Sequence, residues 1–189
     1  MANPFEQLRV NPHDARKSQS WYQAKVAQLK NVPGSVNTML RGQKSNLTTR
    51  IIPGKLYLFQ YDALHKKTLP YWDALPLVFP FRKLPDGSLA LNLHYLPYTM
   101  RFKLMGALMD LTANTKGADH SMVASYNMLS SSSKYIGMQP CVKHYLTSHI
   151  RSRFLNIPHD QWLTAAMLPL EQFHGANKDA VWRQSRKAI

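Results

Sequence analysis

Acidic residues are what this chain of 189 residues has least of. Ten Asp and Glu stand against 24 Lys and Arg, and Glu occurs only at Glu6 and Glu171. Hydrolytic and nuclease chemistry draws on clustered carboxylates or a metal that they hold, and no such cluster is visible along the chain. Asp62 and Asp73 flank an aromatic loop and are the one pair that could share a magnesium ion. In a basic chain two such residues more often cap loops or pair with Lys and Arg. Cysteine is nearly absent too: Cys141 stands alone, which excludes an internal disulfide and a thiolate zinc cluster and suits a reducing cytoplasm or an assembly built there. No apolar run approaches the roughly 20 residues that a spanning helix needs. The opening MANPFEQLRV lacks a secretory pattern. No phosphate-cradling GxxxxGK[ST] or GxGxxG string occurs, and His144 and His149 are five apart, off the i, i+4 spacing of a zinc helix. The expectation is a non-enzymatic protein with no metal, no cofactor, no small-molecule substrate and no membrane partner.

What is present in excess is positive charge, a formal net +14. A surplus of this size favours acidic partners, nucleic acid foremost. It is also unevenly spread. From Ala15 to Tyr61 there is no acid at all, while Arg16, Lys17, Lys25, Lys30, Arg41, Lys44, Arg50 and Lys55 fall there. His120–His159 is likewise acid-free and carries Lys134, Lys143, Arg151 and Arg153. Arg16, Lys17, Lys25, Lys30, Arg41, Lys44, Arg50, Lys143, Arg151 and Arg153 are therefore the candidate DNA-binding residues, with double-stranded DNA contacted without sequence preference. A solubilising surface, or a face that docks an acidic protein, is the plainer reading of the same charge.

The fold class read from the sequence is α+β. A small antiparallel sheet lies at about 54–96, several short helices follow it, and a basic helical arm precedes it. The division is 1–52 for the arm and 53–189 for the core. Leu56–Tyr61, Leu77–Phe81 and Leu89–Tyr95 read as strands. The last two flank Leu84-Pro85-Asp86-Gly87-Ser88, a turn in which Gly would supply positive φ. Alternation along Leu89–Tyr95 predicts one buried and one wetter face. Pro76 and Pro80 predict an edge or irregular strand. Arg16–Lys30, with Asp14 as cap, reads as an amphipathic helix, and Asn31–Ile52 as a linker or an arm that orders on a partner. Tyr98–Ala113 is apolar nearly all round and reads as a buried helix.

Further on, Ser121–Leu129 reads as a short helix and Ser130–Ser133 as a loop. Pro140–Phe154 shows the clearest 3.6-residue period, with Lys143, Thr147 and Arg151 as a cationic stripe on its outer face. Asp160 is a candidate cap for a short helix through Trp162 and Met167, and Asn177 for Lys178–Lys187. Tyr71 and Trp72, between Pro70 and Pro76, either close the core or wait for a partner, and Trp72 is read as the core lid. Trp182 reads as the anchor of a terminal helix. Tyr71, Trp72 and Trp182 are the candidate partner-binding residues.

The strings PGKLYLFQYDA, LPYWDALPLVFPF and LALNLHYLP resemble blocks of small virion proteins of contractile-tailed, T4-like phages. KHYLTSHIRSRFLNI and the closing VWRQSRKAI are similar to the same group, so the resemblance covers the chain from about residue 16 onward. It implies a virion component assembled in the host cytoplasm, with other phage virion proteins as partners. Two roles fit. One is a DNA end protector that sits on the terminus of the packaged genome near the head–tail region at head completion. The other is a tail or baseplate subunit that docks through aromatic and basic surfaces. The resemblance brings no catalytic residues with it.

Overall fold

The computed structural model describes residues 44–113, 126–131 and 136–187. The expected helix over 16–30 and the arm as far as residue 43 lie outside the described residues. Eight strands occur among those described. They are β1 (Leu47–Thr48), β2 (Leu56–Leu58), β3 (Trp72–Asp73), β4 (Leu77–Lys83), β5 (Gly87–Asn92), β6 (Val142–Leu146), β7 (Phe154–Ile157) and β8 (Phe173–His174). Six of them form one sheet in the order β1-β7-β2-β4-β5-β6, antiparallel throughout, and β3 pairs with β8 in a small second sheet. With helices α1 (Tyr98–Ala113), α2 (Trp162–Met167) and α3 (Lys178–Lys187), the chain is α+β, as its sequence predicts.

The sheet is buried on both faces. Leu56, Leu58, Leu77, Phe79, Leu91, Leu155 and Ile157 point to one side, where α1, α2 and α3 bring Met105, Trp162, Ala165 and Val181 against them. Tyr57, Phe59, Val78, Ala90, Tyr145 and Phe154 fill the other side beneath Ile51, Tyr61 and Ile150. The wetter face expected from alternation along Leu89–Tyr95 is therefore absent: Ala90, Asn92 and His94 are fully buried. The polar members survive burial by bonding. Asn92 Oδ1 accepts from the His94 amide, and a short 3₁₀ turn, Leu93–Tyr95, replaces the end of the expected strand.

Prolines and glycines in the hairpin act differently from the expectation. β4 lies inside the sheet between β2 and β5, and it is irregular rather than an edge. The register slips between Pro80 and Arg82, a bulge that lets a strand accommodate a residue without an N–H. Pro80 still accepts from the Gly54 amide at 3.2 Å. Gly87 does not adopt positive φ; among the described residues only Gly54 and Gly175 do. What Gly87 provides is room, because a Cβ there would collide with the Tyr145 carbonyl of β6.

The largest correction concerns Pro140–Phe154, which is not a helix. Ile136–Cys141 is a 3₁₀ segment, Val142–Leu146 is β6, and Thr147–His149 is a single turn before β7. β6 pairs with β5 from Leu91↔Val142 to Gly87↔Leu146. The free edge of β5 supplies backbone partners that a solitary helix would have to find within itself, and β-branched and aromatic residues suit a pleated surface. Lys143, Thr147 and Arg151 consequently share no stripe. Asp160 also differs from expectation: it lies in the 3₁₀ turn His159–Gln161, and α2 begins without a side-chain cap. Asn177 does cap α3, its Oδ1 accepting from the Ala180 amide at 2.9 Å. α1 has the expected bounds, and residues 126–131 are helical through Ser131, past the expected end at Leu129. β1 ties Leu47 and Thr48, within the stretch read as an arm, to β7.

Candidate nucleic-acid interface

Three of the candidate cations meet at one end of the sheet. Thr48 pairs with Phe154, so Arg50 and Arg153 lie within two residues of the same strand pair. Gln60 joins them to Arg151: its amide donates to Ser152 Oγ at 2.9 Å and its carbonyl accepts from the Arg151 amide at 2.9 Å. Arg50, Arg151 and Arg153 are all exposed. Arg151 lies 3.6 Å from Asp62, which also accepts from Lys66 at 2.9 Å. The bond from Lys66 leads in holding the half-exposed Asp62 carboxyl below its ordinary value; slight burial opposes it, and the charges of Lys66 and Arg151 add to it. Paired charges as exposed as these stabilise the fold little, so they remain free to exchange partners with phosphate.

Lys143 is elsewhere, on the outer strand β6 at the opposite edge. It lines a cavity of about 500 Å³ walled by Tyr61, Tyr71, Trp72, Tyr95 and Tyr145, with His65 and His144 also in the lining. Its Nζ lies 4.2 Å from the centre of the Tyr95 ring. Burial pulls the ammonium down from its ordinary value, against a smaller opposing effect of Cys141. Among the described residues Lys143 has no carboxylate partner. Leu64 and Leu69, also in the lining, are two of the three large hydrophobic side chains exposed among the described residues.

Two residues of the lining, Asp73 and Tyr145, belong to a bonded polar cluster buried beneath the cavity. His94 Nδ1 lies 2.7 Å from Asp73 Oδ2, and Asn92 Nδ2 donates to that same oxygen and to the Tyr145 hydroxyl at 3.1 and 2.9 Å. Asp73 Oδ1 accepts from the Leu75 and Gln172 amides. Burial by itself would raise the Asp73 carboxyl. The neighbouring His94 and the bonds from His94, Asn92 and Leu75 outweigh it and leave the group lowered. At the rim, Asp86 lies 3.0 Å from His144. Both cavity carboxylates are thus already engaged.

The remaining predicted residues divide simply. Arg16, Lys17, Lys25, Lys30 and Arg41 lie outside the described residues. Lys44 begins the 3₁₀ turn Lys44–Asn46. Tyr71 and Trp72 are half-buried. Trp72 stacks on His174 across β3–β8, with ring centres 4.6 Å apart, and Tyr71 meets Tyr95 and Phe173. Trp182 faces inward, only 8% exposed, and its indole N–H donates to the His94 carbonyl. Asp62 and Asp73, the pair considered for magnesium, have separate partners, and no group of three His, Cys, Asp or Glu among the described residues could hold a metal. No helix among them is long and apolar enough to cross a membrane. The tyrosine-walled cavity is what reading by sequence missed. Its rings come from positions 61, 71, 95 and 145, and only the strand pairing gathers them.

Set against known proteins, the chain matches the family model described as Phage T4 terminal DNA protecting protein over residues 12–186. No curated protein matches it, and no solved structure does.

Proposed function

The chain belongs to the phage T4 terminal DNA protecting protein family, and from that premise we propose that it binds the ends of linear duplex DNA and shields them. The observation that carries this reading is the extent of the match, which runs through nearly the whole chain from residue 12 to residue 186. Charge supports it. A net +14 with two acid-free runs supplies the sequence-independent attraction to phosphate that an end binder of any genome needs. The protein acts by binding, without catalysis, as a virion component seated on the end of the packaged DNA at the head–tail region, beside other virion proteins. It reaches that place during assembly in the host cytoplasm. Arg50, Arg151 and Arg153 make phosphate contacts from the core, and Arg16, Lys17, Lys25, Lys30, Arg41 and Lys44 extend them.

Exonuclease digestion of linear duplexes of several lengths tests the reading. Protection is expected to saturate at a fixed number of chains per end, whatever the length of the duplex. It is also expected to weaken steeply with salt, on the order of a thousandfold in affinity between 50 and 200 mM for six phosphate contacts. Saturation that scales with duplex length would mean coating rather than end binding and would overturn the proposal, as would an absence of protection at low salt.

A further inference from the structure

The cationic surface explains attraction to any stretch of duplex but gives no reason to prefer an end. An end differs from the interior in features that a protein can read: it carries terminal phosphate or hydroxyl groups, and its last nucleotide can leave the stack. Resting on the end-binding reading above, we propose that the tyrosine-walled cavity receives the terminal nucleotide of the DNA. Its base lies against the half-buried rings of Tyr61 and Tyr71, and its phosphate meets Lys143 above the buried Tyr95.

Size, chemistry and surroundings each support this occupant. The cavity holds about 500 Å³, within the roughly 300–1,000 Å³ of small-ligand sites and suited to a single nucleotide. Aromatic rings stack on any base because every base has a π face, which is how single strands are held without sequence preference. Lys143 is the informative residue. A partly desolvated ammonium with no carboxylate partner among the described residues, kept over Tyr95 at 4.2 Å, is a cation ready for an anion. An anion attached to a flat ring satisfies lysine and tyrosines together. The exposed Leu64 and Leu69 in the lining offer apolar surface to an entering base or sugar. The next phosphates have partners too. The turn that brings His65 to the cavity also carries Lys66, joined through Asp62 to Arg151, so a strand leaving the cavity meets the exposed cations.

The test uses the full chain and a linear duplex with 2-aminopurine at its last nucleotide, beside the same duplex labelled internally. Binding is expected to change the terminal fluorescence several-fold and leave the internal signal unaltered. Free deoxyadenosine monophosphate should compete for the cavity. Lys143→Gln is expected to weaken mononucleotide binding by about ten- to a hundredfold, the range for losing a bond to a charged group, and Leu69→Glu, which sets a carboxylate beside the entering anion, is expected to weaken it too. Both should still bind a duplex whose ends are closed by hairpins. Leu69 is exposed, so its variant keeps the fold even if Lys143→Gln proves unstable. Terminal and internal labels that respond alike, or variants that bind the mononucleotide as wild type does, overturn the assignment. So does binding of an acidic, tyrosine-containing peptide without binding of the mononucleotide, which would give the cavity to a protein partner. Ends sheltered from exonuclease with an unchanged terminal label would remove the cavity's role and leave end binding standing. A mononucleotide that binds through Lys143 while ends stay unprotected would do the reverse.

Discussion

Arg101 shows how far one residue's role can depart from its type. It stands in α1 and is fully buried. Its guanidinium donates to three carbonyls: Nε to Leu96 at 2.7 Å, Nη1 to Ala166 at 3.2 Å and Nη2 to His94 at 3.1 Å. Nη1 also lies 3.5 Å from Glu171, and the group sits over the rings of Tyr98 and Trp182. Arg101→Ala would leave those carbonyls and the buried Glu171 without their partner. Breaking a buried ion pair from one side costs about 3–5 kcal/mol, so thermal unfolding should show a fall in Tm large enough to threaten folding. Arg101→Lys should rescue only part of it, because an ammonium cannot span three carbonyls as a planar fork does. A fall no larger than that of an exposed arginine such as Arg153→Ala would refute this account. Nothing in YTMRFKLMGALMDLTA marks Arg101 apart from Lys103, which is exposed. The difference arises only when α2 and the turn at His94 close over it.

At the scale of elements, a short polar signal proved more legible than a long periodic one. Asn177 is a local device: its side chain reaches the third residue onward and needs nothing from the rest of the molecule. Asn177→Ala should cost about 1 kcal/mol, read as a shifted denaturant midpoint with unchanged slope, and Asn177→Ser should recover most of it. An alanine variant as stable as wild type would show that α3 is held by Val181 and Trp182 alone. The period in Pro140–Phe154 was misleading for a physical reason. In β6, Lys143 and Tyr145 share one face and Val142, His144 and Leu146 the other, so counting Lys143 as polar hides the two-residue alternation. The residue is half-buried, with its ammonium set against the Tyr95 ring. A lysine behaving as a half-buried residue cannot be seen in a hydropathy pattern.

For the whole molecule, stability in acid depends on two buried carboxylates that join its parts. Asp73 ties β3 to the floor of the main sheet, and Glu171 ties the β8 side of the chain to α1 through Tyr98 and Arg101. Burial would raise Glu171 as it would Asp73, but Arg101, His94 and the Tyr98 bond hold it below its ordinary value. Both groups are therefore lowered in the folded state from the ordinary 3.8 and 4.5. The unfolded chain binds protons more readily, so stability rises with pH across the acid range. Their contribution is complete above the ordinary values and is lost as pH falls below them toward the folded ones. Urea midpoints at pH 7, 4 and 3 should decline in that order, most steeply below pH 4. A midpoint unchanged from pH 7 to pH 3 would contradict the assignment.

Composition and local strings by themselves determined the class of the protein: α+β, strongly basic, poor in acids, with α1 and the cap of α3 in place. Those features depend on charge count, short-range bonding and unbroken apolar periodicity, all of which are carried by neighbours in the chain. Only the tertiary structure decided that β4 is interior, that β6 is a strand, that Arg101 and Trp182 face inward and that Lys143 lies over Tyr95. Each of these depends on partners dozens of residues away: the free edge of β5 for β6, the His94 carbonyl for Trp182, a bulge at Pro80 for β4. Local sequence records what a segment can form. Which backbone groups and rings remain unpartnered for it to meet is settled only when the sheet closes.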